Sequence, residues 1–276
     1  MKKITIKEGI NEQGTPDMKY YAFDWDDNIV HMPTKIILKT KEGDEVGMST
    51  DDFAEYRHKI GKEPFEYNGD TIIGFAEEPY RNFGVKGNKD FLIDAMRAKL
   101  GPAFDDFREA INGGSIFSII TARGHSPSTL KQGIYNYIIK GFHGIDKDEL
   151  IKNLKKYRSI FGDDEMSDGE LIKNYLDMCR FHPVSYNDPE GASNPEEAKV
   201  RAMDKFVDYI KETSSKLDKK AFLKKDISNN FVPSKPTIGF SDDDIRNVEV
   251  MSKHFKDKPG NIVKTYSTAG GIKKEY

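Results

Sequence analysis

The sequence predicts an α/β fold on a mainly parallel sheet, on three observations. Short apolar runs break off abruptly into polar clusters, as buried parallel strands do at their ends. Segments of helical character alternate with those runs. Two long stretches exceed what a minimal sheet needs, which points to one core with insertions rather than two independent folds in 276 residues.

The first run, Tyr20-Tyr21-Ala22-Phe23, enters Asp24-Trp25-Asp26-Asp27-Asn28, and the second, Ile116-Phe117-Ser118-Ile119-Ile120, enters Thr121-Ala122-Arg123-Gly124. Residues 180–186 form a third, where Pro183 favours a strand end or an edge. Thr237-Ile238-Gly239-Phe240 enters Ser241-Asp242-Asp243-Asp244, and 261–266 supply a fifth. Helices are expected over 88–100, 127–140, 147–157, 168–178, 195–211 and 244–255. In Asn194-Pro195-Glu196-Glu197 the asparagine is a good N-cap, proline suits the first turn, and the glutamates complement the helix dipole. Lys199 therefore sits in the first or second turn of a helix.

The core is expected over 1–30, 112–140 and 180–276. The insertion at 31–111 reads as a hairpin, 34–40 with 45–49 around Lys41-Glu42-Gly43-Asp44, followed by a helix over 51–60. A helical insertion occupies 141–179, and both insertions are expected to cover a site at the strand ends. The loop 187–193 reads as a flexible connection, and 214–234 as a polar, Lys-rich periphery.

Composition narrows the function classes. Apolar residues make up 37% of the chain, with 17 Phe and 13 Tyr, enough to bury a core of normal density. Lys plus Arg total 43 against 46 Asp plus Glu, a net charge of -3, so no global field attracts nucleic acid or an anionic membrane, and a nucleic-acid partner would need a local basic groove. The basic stretch 152–158 reads as one solvated helix face. Cys179, the one cysteine, cannot form an internal disulfide and reads as a small buried thiol, which fits a reducing compartment. The six histidines show no zinc spacing. MKKITIKEG has the lysines of a signal peptide without its apolar stretch, and no run approaches the roughly 18 apolar residues of a membrane span, so a soluble cytoplasmic protein with no membrane partner is expected.

In open α/β sheets ligands bind beyond the carboxyl ends of the strands, where each polar cluster falls. Two aspartates two positions apart after a strand can face one site, one attacking and one handling protons. A second acidic cluster could complete a magnesium site, since this hard cation prefers oxygen ligands. Asp24, Asp26 and Asn28 also fit the first alternating positions of an EF-hand loop. That loop needs glycine and glutamate where Ile29 and Lys35 stand, and the residues before Asp24 read as strand.

With these motifs the chain resembles the haloacid dehalogenase superfamily. Asp24-Trp25-Asp26-Asp27-Asn28 matches its Asp-x-Asp motif, with Asn28 where threonine or valine is usual. Ile119-Ile120-Thr121 matches the strand ending in Thr or Ser, and Ser241-Asp242-Asp243 matches the late acidic pair. Lys199 is the choice for the helix-start lysine, with Arg201 and Lys205 as fallbacks. The four motifs stand in the family's order.

The resemblance implies a Rossmann-like three-layer α/β/α core with hairpin and helical cap insertions, and a phosphomonoesterase acting on a small phosphorylated substrate. Asp24 would attack phosphorus, Asp26 would act as general acid and base, Thr121 with the following amide would hold phosphoryl oxygens, and Lys199 would neutralise charge. Mg2+ would bind the Asp24 carboxylate, the Asp26 backbone carbonyl, Asp242 and Asp243, while Asp244 serves as a helix N-cap. Trp25, Ala122 and Arg123 are placed to touch substrate, although core packing accounts equally well for Trp25. Two other functions fit the fold: processing of nucleic-acid ends, as in polynucleotide 3′-phosphatases, and non-catalytic binding of metal or phosphate.

Overall fold

A computed structural model of the chain describes residues 19–161, 166–224 and 236–276. The chain enters at β1 (Lys19–Phe23), forms the short β2 (Val30–His31), and leaves for β3 (Ile36–Thr40), β4 (Glu45–Met48), α1 (Thr50–Tyr56), β5 (Phe65–Tyr67) and β6 (Asp70–Phe75). It returns through α2 (Asn88–Ala95), β7 (Lys99–Leu100) and α3 (Phe104–Asn112) to β8 (Phe117–Thr121). Three helices follow, α4 (Pro127–Lys140), α5 (Lys147–Phe161) and α6 (Asp168–Met178), before β9 (Arg180–Pro183). The last part comprises α7 (Pro189–Ser193), α8 (Pro195–Lys224), β10 (Thr237–Asp242), α9 (Ile245–Lys256), β11 (Val263–Ser267) and β12 (Lys274–Glu275).

The main sheet has the order β12-β11-β10-β1-β8-β9, parallel throughout except for β12 at one edge. From the central β1 the chain moves outward to β8 and β9, then crosses back to β10 on the other side of β1. The strand order therefore reverses between β1 and β10, and such a reversal opens a crevice at the carboxyl ends.

Alternation along the strands builds the layers. Tyr20 and Ala22 of β1 pack with Ile238 and Phe240 against Met203, Phe206 and Met251 of α8 and α9. Phe23, Phe117 and Ile119 point the other way, onto Phe107, Ile134 and Tyr175 from the helices of the opposite face. Every residue of β8 is buried, as a strand covered on both faces requires. Each large apolar side chain so placed contributes about 1.5–3 kcal/mol.

A separate antiparallel sheet, order β4-β3-β6-β5, forms from the insertion and has its own small core of Ile36, Leu38, Met48, Ile60, Tyr67 and Ile72. The hairpin is where the sequence predicts it. β5 and β6, which follow it, and α3 were not anticipated.

Several boundaries differ from expectation. The helix expected over 88–100 stops at Ala95, and Lys99–Leu100 instead pairs antiparallel with Val30–His31. Gly101 makes this approach feasible: a Cβ there would lie 2.4 Å from the Asn28 carbonyl oxygen. The backbone amides of Gly101 and Ala103 donate to Ile29 O and Asn28 O, both at 2.8 Å. Phe91, Phe104 and Phe107, expected in the first insertion, lie in the main core. So do Leu150, Leu154, Leu171 and Tyr175, so the helical stretch 141–179 packs under the sheet rather than over a site. Tyr175 Oη donates to the Ser115 carbonyl just before β8, at the end of the strand remote from Thr121. α8 runs on to Lys224, past the expected 211.

Cys179 is buried, and burial pushes its thiol up to about 12. No helix of the described residues is long and apolar enough to cross a membrane. MKKITIKEG and the part of the Lys-rich periphery from 225 onward lie outside the described residues.

Candidate functional site

Four segments converge at the β1–β10 crevice. Asp24 follows β1 directly, and its amide donates to Ser241 O at 3.0 Å, so the β1–β10 ladder aligns the first and last motifs. The chain then turns sharply: the Ile29 and Val30 amides both donate to Trp25 O, and Asp27 takes a left-handed φ of 55°. Asn28 locks the turn. Its amide nitrogen donates to Asp24 O at 3.1 Å and Ser241 O at 3.0 Å, while its oxygen accepts from Thr268 Oγ1 at 2.8 Å.

Lys199 comes from the first turns of α8, where Asn194 Oδ1 accepts from the Glu197 amide as an N-cap should. Its Nζ lies 2.9 Å from Asp24 Oδ1 and 2.8 Å from Asp242 Oδ2. Arg201 is exposed and pairs with Glu190 and Glu197, and Lys205 is exposed. Of the three basic candidates, Lys199 is the one at the carboxylates. Asp242 Oδ1 accepts from the Asp244 amide and Asn247 Nδ2, both at 3.0 Å. Asp244 caps α9 by accepting from the Arg246 amide, as expected of it.

The site is acid-rich for its burial. Burial, Asp242 and Asp26 push the Asp24 carboxyl up, against the pull of Lys199. Burial works against the Lys199 ammonium, but Asp24 and Asp242 outweigh it and hold its pKa above the usual lysine value. Burial and the charges of Asp242 and Asp24 push Asp243 up to about 9. One oxygen each of Asp24, Asp242 and Asp243 lie within 4.8 Å of one another. Asp24 Oδ1 is buried 2.9 Å from Lys199 Nζ, with no further hydrogen-bond partner among the described residues. Hard oxygen donors with uncompensated charge and an open buried acceptor suit a small divalent cation.

The Asp26 side chain is engaged elsewhere. Arg123 Nε and Nη2 donate to its two oxygens, both at 2.7 Å, a bidentate pair. Arg123 itself is 1% exposed, lies over the rings of Phe83 and Phe91, and donates to Thr34 Oγ1 and His125 Nε2. Thr121 Oγ1 accepts from the Arg123 amide, which leaves its own proton to donate. The loop after β8 is tied to the insertion by the Gly124 amide, which donates to Phe83 O at 2.8 Å.

Asp24, Asp26, Thr121, Ala122, Arg123, Lys199, Asp242 and Asp243 all line one open cavity of about 500 Å³, walled on one side by the insertion. The cover comes from residues 36–85, and none of 88–111 or 141–179 contributes. Trp25 is the exception among the expected substrate contacts. It is fully buried, stacked on Tyr137 and against Phe91, because the turn after β1 aims residue 25 into the core. Sequence reasoning missed Asn247, Thr34 and Arg57, which are set by tertiary pairing and leave no local pattern.

Comparison with family models, with curated proteins and with solved structures finds no match.

Proposed function

We propose that the chain is a magnesium-dependent phosphomonoesterase of the haloacid dehalogenase kind, hydrolysing a small phosphorylated substrate through an aspartyl-phosphate on Asp24. The observation that carries this reading is convergence. The ends of β1, β8 and β10 and the start of α8 deliver Asp24, Thr121, Asp242–Asp243 and Lys199 to one cavity.

In the first step an Asp24 carboxylate oxygen bonds to phosphorus, the ester P–O bond breaks, and Asp26 gives a proton to the leaving oxygen. In the second, Asp26 takes a proton from water as that water attacks phosphorus, which releases phosphate and restores the Asp24 carboxylate. Thr121 Oγ1 and the Ala122 amide hold phosphoryl oxygens, and Lys199 offsets the charge shared by nucleophile and phosphate. When bound, Mg2+ supplies charge neutralisation at the phosphoryl oxygens, held by Asp24, Asp242, Asp243 and the Asp26 carbonyl. In this conformation Arg123 occupies both Asp26 oxygens, so the acid role requires that pair to open and Asp26 to take up a proton before the ester P–O bond breaks.

A nucleic-acid end is disfavoured as substrate. Among the described residues the cations lining the cavity are Arg57, Arg123 and Lys199, and each is already paired with a carboxylate. The decisive experiment is Mg2+-dependent phosphate release from a generic aryl phosphate, abolished in Asp24→Asn with an unchanged circular dichroism spectrum. Substantial residual turnover removes Asp24 as nucleophile. Inactivity of the wild type across a broad phosphate panel, with Mg2+ still bound, favours a binding protein instead.

A further inference from the structure

The cavity has two unlike halves. Its floor holds the carboxylates, Thr121 and Lys199, while its roof is apolar: Ile36, Phe53, Tyr80 and Phe83 from the insertion face the same space. The rings of Phe53 and Tyr80 meet edge to face at 6.0 Å, as do those of Tyr80 and Phe83 at 6.2 Å. Tyr80 is 46% exposed, so aromatic surface stands uncovered above the reacting groups. Among the described residues the polar groups of the roof are Thr50, Arg57 and the hydroxyl of Tyr80.

Resting on the phosphatase reading above, we propose that the leaving group accepted here carries a flat aromatic or heteroaromatic ring on a single phosphate, as in a nucleoside monophosphate or an aryl phosphate. With the phosphoryl group at Asp24, the leaving group extends toward Phe53 and Tyr80. Rings stack on such a wall, whereas the hydroxyls of a sugar phosphate placed against Ile36, Phe53 and Phe83 lose water without gaining a partner there. A volume of about 500 Å³ is of the size that encloses such a molecule.

A second phosphate is excluded by charge. Arg57 Nη2 is held 3.0 Å from Glu196 Oε1 and 3.8 Å from Asp244 Oδ2, so the one cation that the described residues bring to the roof is already neutralised. Asp27, Glu196 and Asp244 line the same space and repel a further anion.

The test compares kcat/KM, with Mg2+, for nucleoside 5′-monophosphates, phenyl and naphthyl phosphate, glucose 6-phosphate and a nucleoside 3′,5′-bisphosphate. At least one ring-bearing monophosphate arm should exceed glucose 6-phosphate about tenfold or more, and the bisphosphate should fall below its monophosphate. Which arm is better identifies the source of the ring. Phe53→Ala should lower the ratio of ring-bearing to sugar substrate about tenfold through KM. Phe65→Ala, which removes a ring stacked on Tyr56 away from the cavity, should leave that ratio in place. Glucose 6-phosphate turned over as well as the ring-bearing esters, or a ratio indifferent to Phe53→Ala, overturns the proposal. Calorimetry on the Asp24→Asn protein with Mg2+ reads the same preference without turnover. Adenosine 5′-monophosphate binding more tightly than glucose 6-phosphate supports the ring subsite, and equal or weaker binding overturns it. Retained preference with no hydrolysis in any arm would sink the enzyme reading and leave this one standing.

Discussion

Lys199 Nζ lies between Asp24 Oδ1 at 2.9 Å and Asp242 Oδ2 at 2.8 Å, so one buried ammonium bridges carboxylates that follow or end two neighbouring strands. Removing it leaves two buried carboxylates facing each other. Lys199→Met should therefore lower unfolding free energy by about 3–5 kcal/mol in urea titration. It should also abolish phosphate release, because the same ammonium faces the proposed nucleophile. A variant as stable as the wild type would mean that the bridge carries no net stabilisation.

Asp243 makes the opposite prediction. Its carboxyl is pushed up to about 9 in the folded protein by burial and by Asp242 and Asp24. With a folded pKa above the unfolded one, its contribution to stability is present at low pH and is lost as pH rises from about 4 toward 9. Asp243→Asn should thus stabilise the metal-free protein at pH 7, by about 1–3 kcal/mol. The wild type should gain thermal stability with Mg2+, by about 2.7 kcal/mol at a hundredfold excess over Kd, and the variant should lose most of that gain. A variant that is less stable without metal would remove the repulsion at Asp243, and one that keeps the full Mg2+ response would place the cation elsewhere.

Legibility differed between the parts of this chain for physical reasons. The parallel strands were readable because a strand buried on both faces leaves a short, mainly apolar run, as in residues 116–120 with only the small Ser118 in it, and stops at a polar cluster. α4 and α6 fall where expected because their ends carry strong local signals, Ser126 before Pro127 and Ser167 in a capping box with Glu170. β7 was not readable: Lys99–Leu100 owes its strand to pairing with Val30–His31 and to the bare Cα of Gly101, neither of which has a local periodicity. At the site, the aspartates and Thr121 were legible through strand context. The clamp of Arg123 on Asp26 was not, since ninety-seven positions separate the partners. Trp25 was misplaced because the turn after β1 rotates successive side chains between cavity and core, which a residue type alone does not disclose.

Asn28 offers a test of what holds the turn after β1. Its side chain donates to Asp24 O and Ser241 O and accepts from Thr268 Oγ1. Asn28→Ala takes the side-chain partner from Asp24 O and from Thr268 Oγ1, while Ser241 O keeps the Asp24 amide; at about 1–3 kcal/mol for each unsatisfied group, about 3 kcal/mol in all is expected. Asn28→Thr, the residue usual at this place in the motif that the sequence resembles, keeps one donor in place of the amide's two and should fall between. Urea midpoints of the three proteins provide the comparison. A Thr variant at wild-type stability would show that the amide network adds nothing beyond one hydroxyl.

His125 should make the fold labile to acid. Arg123 Nη1 can only donate, so the His125 Nε2 at 3.1 Å must accept, and the proton sits on Nδ1 facing Asn88 Oδ1. Burial and the Arg123 charge accordingly depress this imidazole to about 4, and burial with Lys205 and Arg180 does the same to His182. An unfolded histidine protonates near 6.5, so between about 6.5 and 4 the unfolded chain binds protons that the folded one refuses. The stability present above 6.5 is lost as pH falls through that window, by at most about 3 kcal/mol for each residue. His125→Gln retains an amide donor and an acceptor but cannot titrate. Its urea midpoint at pH 7 should be lower than that of the wild type, and its change from pH 6.5 to 4.5 less unfavourable, since the loss from His182 and the opposing gain from Asp243 are common to both proteins. Parallel changes in the two proteins would remove His125 as the source.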